Sequence, residues 1–331
     1  MTDDRHDASL EYRAVRQSVG LIDRGDFGIV EVTGRDRATF LHAMLTNDVK
    51  SLSPGQGSAA ALLDVHGKVQ TFLWLWALED RLLMLTPPGL AGPTIEALER
   101  YLFSEKAYLR AATGEGGLLV LAGPGAGEML ARLGGGQVPE RAWDHAPATL
   151  ADVQARVVRG SGESGETEVW ILCAAAESAR VRDAALAAGA TRVRPEVWDV
   201  LRIEAGTPVF GADVDPSVLL PEVPLLDRVS YTKGCYLGQE VVVRIRDRGH
   251  VNRMLSGLVL DAEPVPAKGA RVSVGGAEIG RVTSAAWSWA LKRPIALGFL
   301  KRQHAEPGTR VDVAIDGGLA TATVSTLPFA R

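Results

Sequence analysis

Hydrophobic positions recur with different periods along this chain, and the change of texture divides it. Residues 10–19 have helical spacing, 28–32 read as a short strand, and 35–45 as an amphipathic helix in which Ala38, Leu41 and Leu45 adjoin Phe40 and Met44. Residues 59–64 and 69–78 are strand-like runs joined through His66-Gly67, the pattern of a hairpin. In the second run Phe72, Trp74 and Trp76 alternate with Leu73, Leu75 and Ala77, so both faces are apolar. Residues 81–86 add a third strand, and a helix opens at Pro93. The predicted order is βαβββα.

A comparable unit starts at residues 118–121 and continues through a helix at 124–133, strands at 153–159 and 168–173, and a helix at 177–188. The glycine-rich stretches 134–136 and 160–165 read as surface turns, since neither has the spacing of a phosphate loop. Residues 195–205 form a helix closed by Gly206 and Pro208. Residues 211–230 are proline-punctuated with little period, and a long irregular segment inside a compact protein is more often functional than decorative. Residues 240–248 alternate like a strand, with Val241, Val243 and Ile245 on one face and Val242, Arg244, Arg246 and Arg248 on the other. After Met254, six short β-type runs separated by glycine and proline turns predict a small barrel or sandwich. The expectation is an α+β fold: two related α+β lobes, 1–113 and 114–250, and a C-terminal β-barrel, 251–331.

Composition narrows the function. With 331 residues, 46% of them hydrophobic and a net charge of −4, the chain has the size for several cores and no overall attraction to nucleic acid or anionic membrane. No apolar run is long enough to span a bilayer, and the polar first residues lack the core of a signal peptide. Two cysteines in unlike surroundings do not suggest a disulfide. A cytoplasmic monomer is expected. Six scattered histidines, with neither Cys-x-x-Cys nor His-x-x-x-His, suggest no resident metal.

Candidate chemistry concentrates in Lys233-Gly-Cys-Tyr-Leu-Gly-Gln-Glu240. Cys235 lies between Gly234 and Gly238, with Lys233 before it and Arg244, Arg246 and Arg248 after it, and nearby cations favour the nucleophilic thiolate. Cys173 instead ends the apolar run Val169-Trp-Ile-Leu-Cys173 and reads as core. The arginine-rich face is either an anion site or the charged face of a solvated edge strand.

The same stretch, with Tyr236, Gln239 and Glu240, resembles the signature of the folate-binding YgfZ-type proteins, relatives of the glycine cleavage T-protein (aminomethyltransferase). The likeness extends through Val30-Glu-Val-Thr-Gly-Arg-Asp-Arg37, Leu45-Thr-Asn-Asp-Val49, Pro54-Gly-Gln-Gly57, Leu63-Asp-Val-His-Gly-Lys-Val69 and Arg202-Ile-Glu-Ala-Gly206. It implies that the lobes and barrel close into a three-part ring that binds tetrahydrofolate or a derivative. Glu204 then faces the pterin, with Arg253 and either Arg244 or Arg246 towards the glutamate tail. The other reading of Glu204 is a salt bridge with Arg202 or Arg194. The YgfZ-type branch implies an accessory factor using Cys235 and Lys233, with iron–sulfur proteins as transient partners and tRNA thiolation as an indirect beneficiary. The T-protein branch implies aminomethyl transfer, yet Gln70 stands where that enzyme has its catalytic aspartate, and Asp64 lies before the turn.

Overall fold

The computed structural model describes residues 2–329, so the outer ends of the expected units, Met1, Ala330 and Arg331, lie outside it. Helix α1 (Thr2–Gln17) leads into strands β1 (Gly20–Asp23) and β2 (Gly28–Thr33). Helix α2 (Arg37–Met44) precedes the hairpin β3 (Gly57–Leu63) and β4 (Val69–Ala77), then β5 (Leu82–Thr86), α3 (Ala91–Glu99) and β6 (Tyr108–Ala111). Strands β3-β4-β5-β2-β6 make one antiparallel sheet. Next come β7 (Gly116–Ala122), α4 (Ala126–Arg132), β8 (His145–Leu150), β9 (Val153–Arg159), β10 (Glu168–Ala174), α5 (Ser178–Ala187), β11 (Thr191–Arg192) and α6 (Pro195–Glu204). The second sheet runs β11-β1-β7-β10-β9-β8.

Strand β1 is an element that the hydrophobic pattern did not predict. It pairs with β11 in parallel and with β7 antiparallel, so the start of the chain completes the second sheet. Four residues are too few to display a period, which is why the pattern did not reveal this strand.

Helix α7 (Gln239–Arg248) corrects an expectation, because residues 240–248 are helical and not extended. A run of valines interleaved with arginines satisfies either period, and the flanking glycines decide between them. Gly238 sits in the left-handed region (φ 78°) as the residue before the helix, and Gly249 follows it in an extended conformation. The arginines therefore do not share one face: Arg244 and Arg248 are a turn apart, and Arg246 points elsewhere.

Beyond α7, strands β12 (Arg253–Leu260), β13 (Arg271–Val274), β14 (Ala277–Ser288), β15 (Arg293–Lys301), β16 (Arg310–Ile315) and β17 (Gly318–Ser325) close a six-stranded barrel. Two α+β lobes and a C-terminal barrel are thus present, as expected. Among the described residues no helix is long and apolar enough to cross a membrane.

One core joins the three parts. Phe72, Trp74 and Trp76 of β4, Trp170 of β10, Leu201 of α6, and Leu255 and Leu297 of the barrel belong to it. The other face of β4, through Leu73, Leu75 and Ala77, packs against Leu41, Leu45 and Leu98. Both faces are buried, as the double apolar alternation requires, and each fully buried large side chain contributes about 1.5–3 kcal/mol. The barrel keeps an interior of its own around Leu258, Val272 and Val313.

Candidate functional site

The signature stretch is first of all a clamp. Leu237 N–H donates to the Ala43 carbonyl (3.1 Å) and Ser230 N–H to the Thr46 carbonyl (3.0 Å), tying it to the end of α2. The Lys233 ammonium donates to the carbonyls of His42 and Leu45, the latter at 2.6 Å. These are the groups that a helix end leaves unpaired, and a cation there also meets the negative end of the helix dipole. Burial pulls Lys233 down to about 8, with Asp48 and Cys235 opposing. Its nitrogen also lies 4.9 Å from the centre of the Tyr236 ring.

The two glycines of the motif differ. A Cβ on Gly238 would come within 2.4 Å of the Asp64 carbonyl oxygen and 3.1 Å of Leu63 Cβ, because the β3–β4 turn presses on the start of α7. A Cβ on Gly234 would meet nothing within 4 Å. Gln239 Oε1 accepts from Tyr236 N–H, and Glu240 lies in the first turn of α7. Cys235 is exposed, whereas Cys173 is buried and its thiol is pushed up by burial.

At the β3–β4 turn, Asp64 Oδ1 accepts from His66 N–H (2.8 Å) and Lys68 N–H (2.9 Å), so this carboxylate closes the turn. Gln70 donates weakly to the Lys68 carbonyl at 3.4 Å.

The four residues expected at the folate do not converge on one cavity. Glu204 is 0% exposed. Its Oε2 accepts from Tyr12 Oη and Arg16 Nη2 (2.7 Å each), and its Oε1 from Ser288 Oγ (2.6 Å) and Ala290 N–H (3.3 Å). The partner is Arg16, while Arg202 pairs with Asp199 and Asp213, and Arg194 with Glu11. Burial and the Glu204 carboxylate push Tyr12 up to about 12. Arg253 pairs with Glu222 at 3.1 Å and lines a separate cleft of about 670 Å³ with Lys268, Arg281 and Lys301. Arg246 pairs with Asp247 and lies 4.6 Å from the Tyr231 ring centre, and Arg244 faces a groove along α7.

A different constellation lies between the lobes. A cleft of about 480 Å³ is lined by Asn47, Ser58, Trp143, Glu163, Thr207 and Arg228, among others. The stretch 160–165, expected to be a surface turn, forms part of its wall, and Ser164 within it is fully buried. The Arg228 side chain, 3% exposed, donates from Nη2 to Glu163 Oε1 (3.0 Å). Its guanidinium stacks 4.8 Å from the Phe72 ring centre and 5.0 Å from that of Trp74. Trp74 Nε1–H donates to the same Glu163 oxygen at 3.2 Å. Behind them Glu168, wholly buried, accepts from Ser164 and Trp170, and burial followed by the neighbouring Glu163 lifts it to about 7. Trp143, a large residue held at φ 69°, contacts Trp170 edge-on at 5.1 Å.

Comparison with known proteins supplies the context. The GCVT N-terminal domain family matches residues 3–233, and the glycine cleavage T-protein C-terminal barrel domain matches residues 253–330. The chain is 30% identical to a probable aminomethyltransferase of Natronomonas pharaonis over 326 residues, covering 96% of this chain and 89% of the relative. It is 28% identical to a putative chloroplastic transferase of Arabidopsis thaliana over 328 residues, 98% of this chain and 74% of the relative. The crystal structure of the glycine cleavage system aminomethyltransferase T from Bartonella henselae superposes with a TM-score of 0.88 at 25% identity, covering 98% of this chain and 89% of that one.

Proposed function

The chain belongs to the glycine cleavage T-protein family, and from that premise we propose that it binds tetrahydrofolate or a derivative and works as a transferase of one-carbon units. The observation that carries this reading is the end-to-end likeness to proteins named aminomethyltransferases, with both lobes and the barrel retained. The interlobe cleft has the volume of a small-molecule site and combines the Trp143 ring with several polar groups. Glu204 does not fit the role its motif implies, because four donors already occupy its carboxylate. The folate supplies the acceptor for the one-carbon unit. The residues that line the cleft hold it.

A second reading is favoured by two specific observations. By the motif resemblance Gln70 takes the place of the carboxylate that aminomethyl transfer uses, and Asp64 is engaged in closing its turn. Cys235 is exposed on a signature that Lys233, Leu237 and Gly238 tie to the end of α2 and the β3–β4 turn. On this reading the protein is a YgfZ-type, folate-binding accessory factor of the cytoplasm. It assists iron–sulfur cluster assembly or repair through transient partners, and tRNA thiolation benefits indirectly.

One experiment separates the two. Purified protein is assayed for methylenetetrahydrofolate formed from an aminomethyl-lipoyl carrier. Turnover establishes the transferase reading. No turnover, together with iron–sulfur enzyme activity that a deletion strain loses and wild type but not Cys235→Ser restores, establishes the accessory reading.

A further inference from the structure

A second cleft, of about 440 Å³, is lined from both sheets and shares no residue with the interlobe cleft or the signature. Its apolar side chains include Leu78 and Leu83 from the first lobe and Leu172 and Pro147 from the second. Two arginines also line it, Arg81 just before β5 and Arg156 on β9. Arg156 is half-buried, and its one recorded hydrogen bond runs from Nη1 to Nδ1 of His145 (2.8 Å). That imidazole, held down at about 4, is neutral at pH 7 and brings no counter-charge. The other guanidinium nitrogens of Arg156 have no partner among the described residues and are not sealed from solvent.

The carboxylates on the lining are already engaged. Glu31 and Glu115 both pair with Arg110, and Glu31 reaches Arg81 only at 3.5 Å. Arg81 has Asp80 besides, at 3.1 Å. Among the described residues no carboxylate pairs with Arg156, whose pKa is lowered first by burial and then by the nearby Arg81 charge. A partly desolvated cation beside a like charge is unfavourable until an anion joins them. A guanidinium, planar and weakly hydrated, takes an oxyanion at two points. We infer that this cleft binds a small organic anion, with its carboxylate or phosphate head on Arg156 and Arg81 and its apolar body on Leu83, Leu172 and Pro147. The site is separate from the one proposed for folate and does not depend on that reading.

The test titrates the full chain with hexanoate and hexyl phosphate, which share a body and differ in head, and with hexanol, the body alone, at ionic strength fixed with sodium chloride. Calorimetry reads binding, and thermal unfolding confirms that each variant is folded. At least one of the anions is expected to bind at least tenfold more tightly than hexanol, and which of them does so identifies the head group. Arg156→Gln is expected to weaken that binding at least tenfold and Arg81→Gln at least threefold. Arg132→Gln, an exposed position on α4, should leave it unchanged. Should Arg156→Gln fail to fold, Arg156→Lys decides in its place: it keeps the charge, loses the two-point contact and is expected to weaken binding at least threefold. Anions that bind no more tightly than hexanol, binding that persists in a folded Arg156 variant, or an equal loss in Arg132→Gln overturns the inference.

Discussion

Gly238→Ala tests whether the signature acts as a clamp on the β3–β4 turn. The native backbone has φ 78° there, a region that costs a residue with a Cβ roughly 1–2 kcal/mol. The added methyl would also lie 2.4 Å from the Asp64 carbonyl oxygen, which is backbone and cannot rotate away. Forcing the turn and helix apart adds about 1–3 kcal/mol, the usual cost of overpacking. The expected loss is thus roughly 2–5 kcal/mol. Gly234→Ala is the internal control, because its new methyl meets nothing and the change should stay within about 0.5 kcal/mol. Urea unfolding of wild type and both variants, followed by tryptophan fluorescence, reads the difference. Equal midpoints for the two variants would refute the packing argument, and a larger loss in Gly234→Ala would reverse it.

Three further outcomes are expected. Glu204→Ala removes the shared acceptor of Tyr12, Arg16 and Ser288, although Arg16 keeps Glu166, and should lower stability by about 1–3 kcal/mol, measured by urea unfolding; a neutral result would contradict the structural role given to Glu204. Cys235 should alkylate in the native protein while Cys173 reacts only on unfolding, and mass spectrometry of labelled peptides checks this; equal rates would go against their placement. His145 is held down at about 4, first by burial and then by Arg156, so its folded value lies below the unfolded one near 6.5. The stability it contributes is present above pH 6.5 and is lost as the pH falls towards 4, up to roughly 3 kcal/mol. His145→Gln should flatten the acid limb of a stability–pH curve, and an unchanged slope would refute the assignment.

Much of this architecture is legible in the sequence because period and burial coincide. The β4 run shows it best: its two apolar faces announce burial on both sides, and the structure puts Trp74 in one core and Leu75 in another. The barrel is legible from its regular turns. Legibility fails where local pattern is ambiguous or the partner is distant. Residues 240–248 fit two periods, and only the conformation of Gly238 resolves them. Strand β1 is fixed by pairing with β7, about a hundred residues on, which no local pattern reports. At the site, the signature and the contrast between Cys235 and Cys173 were visible, but Glu163 and Arg228 were not. Glu163 is concealed in a glycine-rich stretch that looks like a surface turn, and Arg228 in a segment whose only signal was its lack of period. Glu204 shows the converse. Its motif implies a ligand, and only the fold reveals that Tyr12, Arg16 and Ser288 already occupy it.

A crystal structure of the protein soaked with a reduced folate tests the central claim most directly. The account predicts the ring in the interlobe cleft beside Trp143, with the Glu204 cluster undisturbed. A ring bound at Glu204 with Arg16 displaced, or an interlobe cleft that stays empty at saturating ligand, would contradict it.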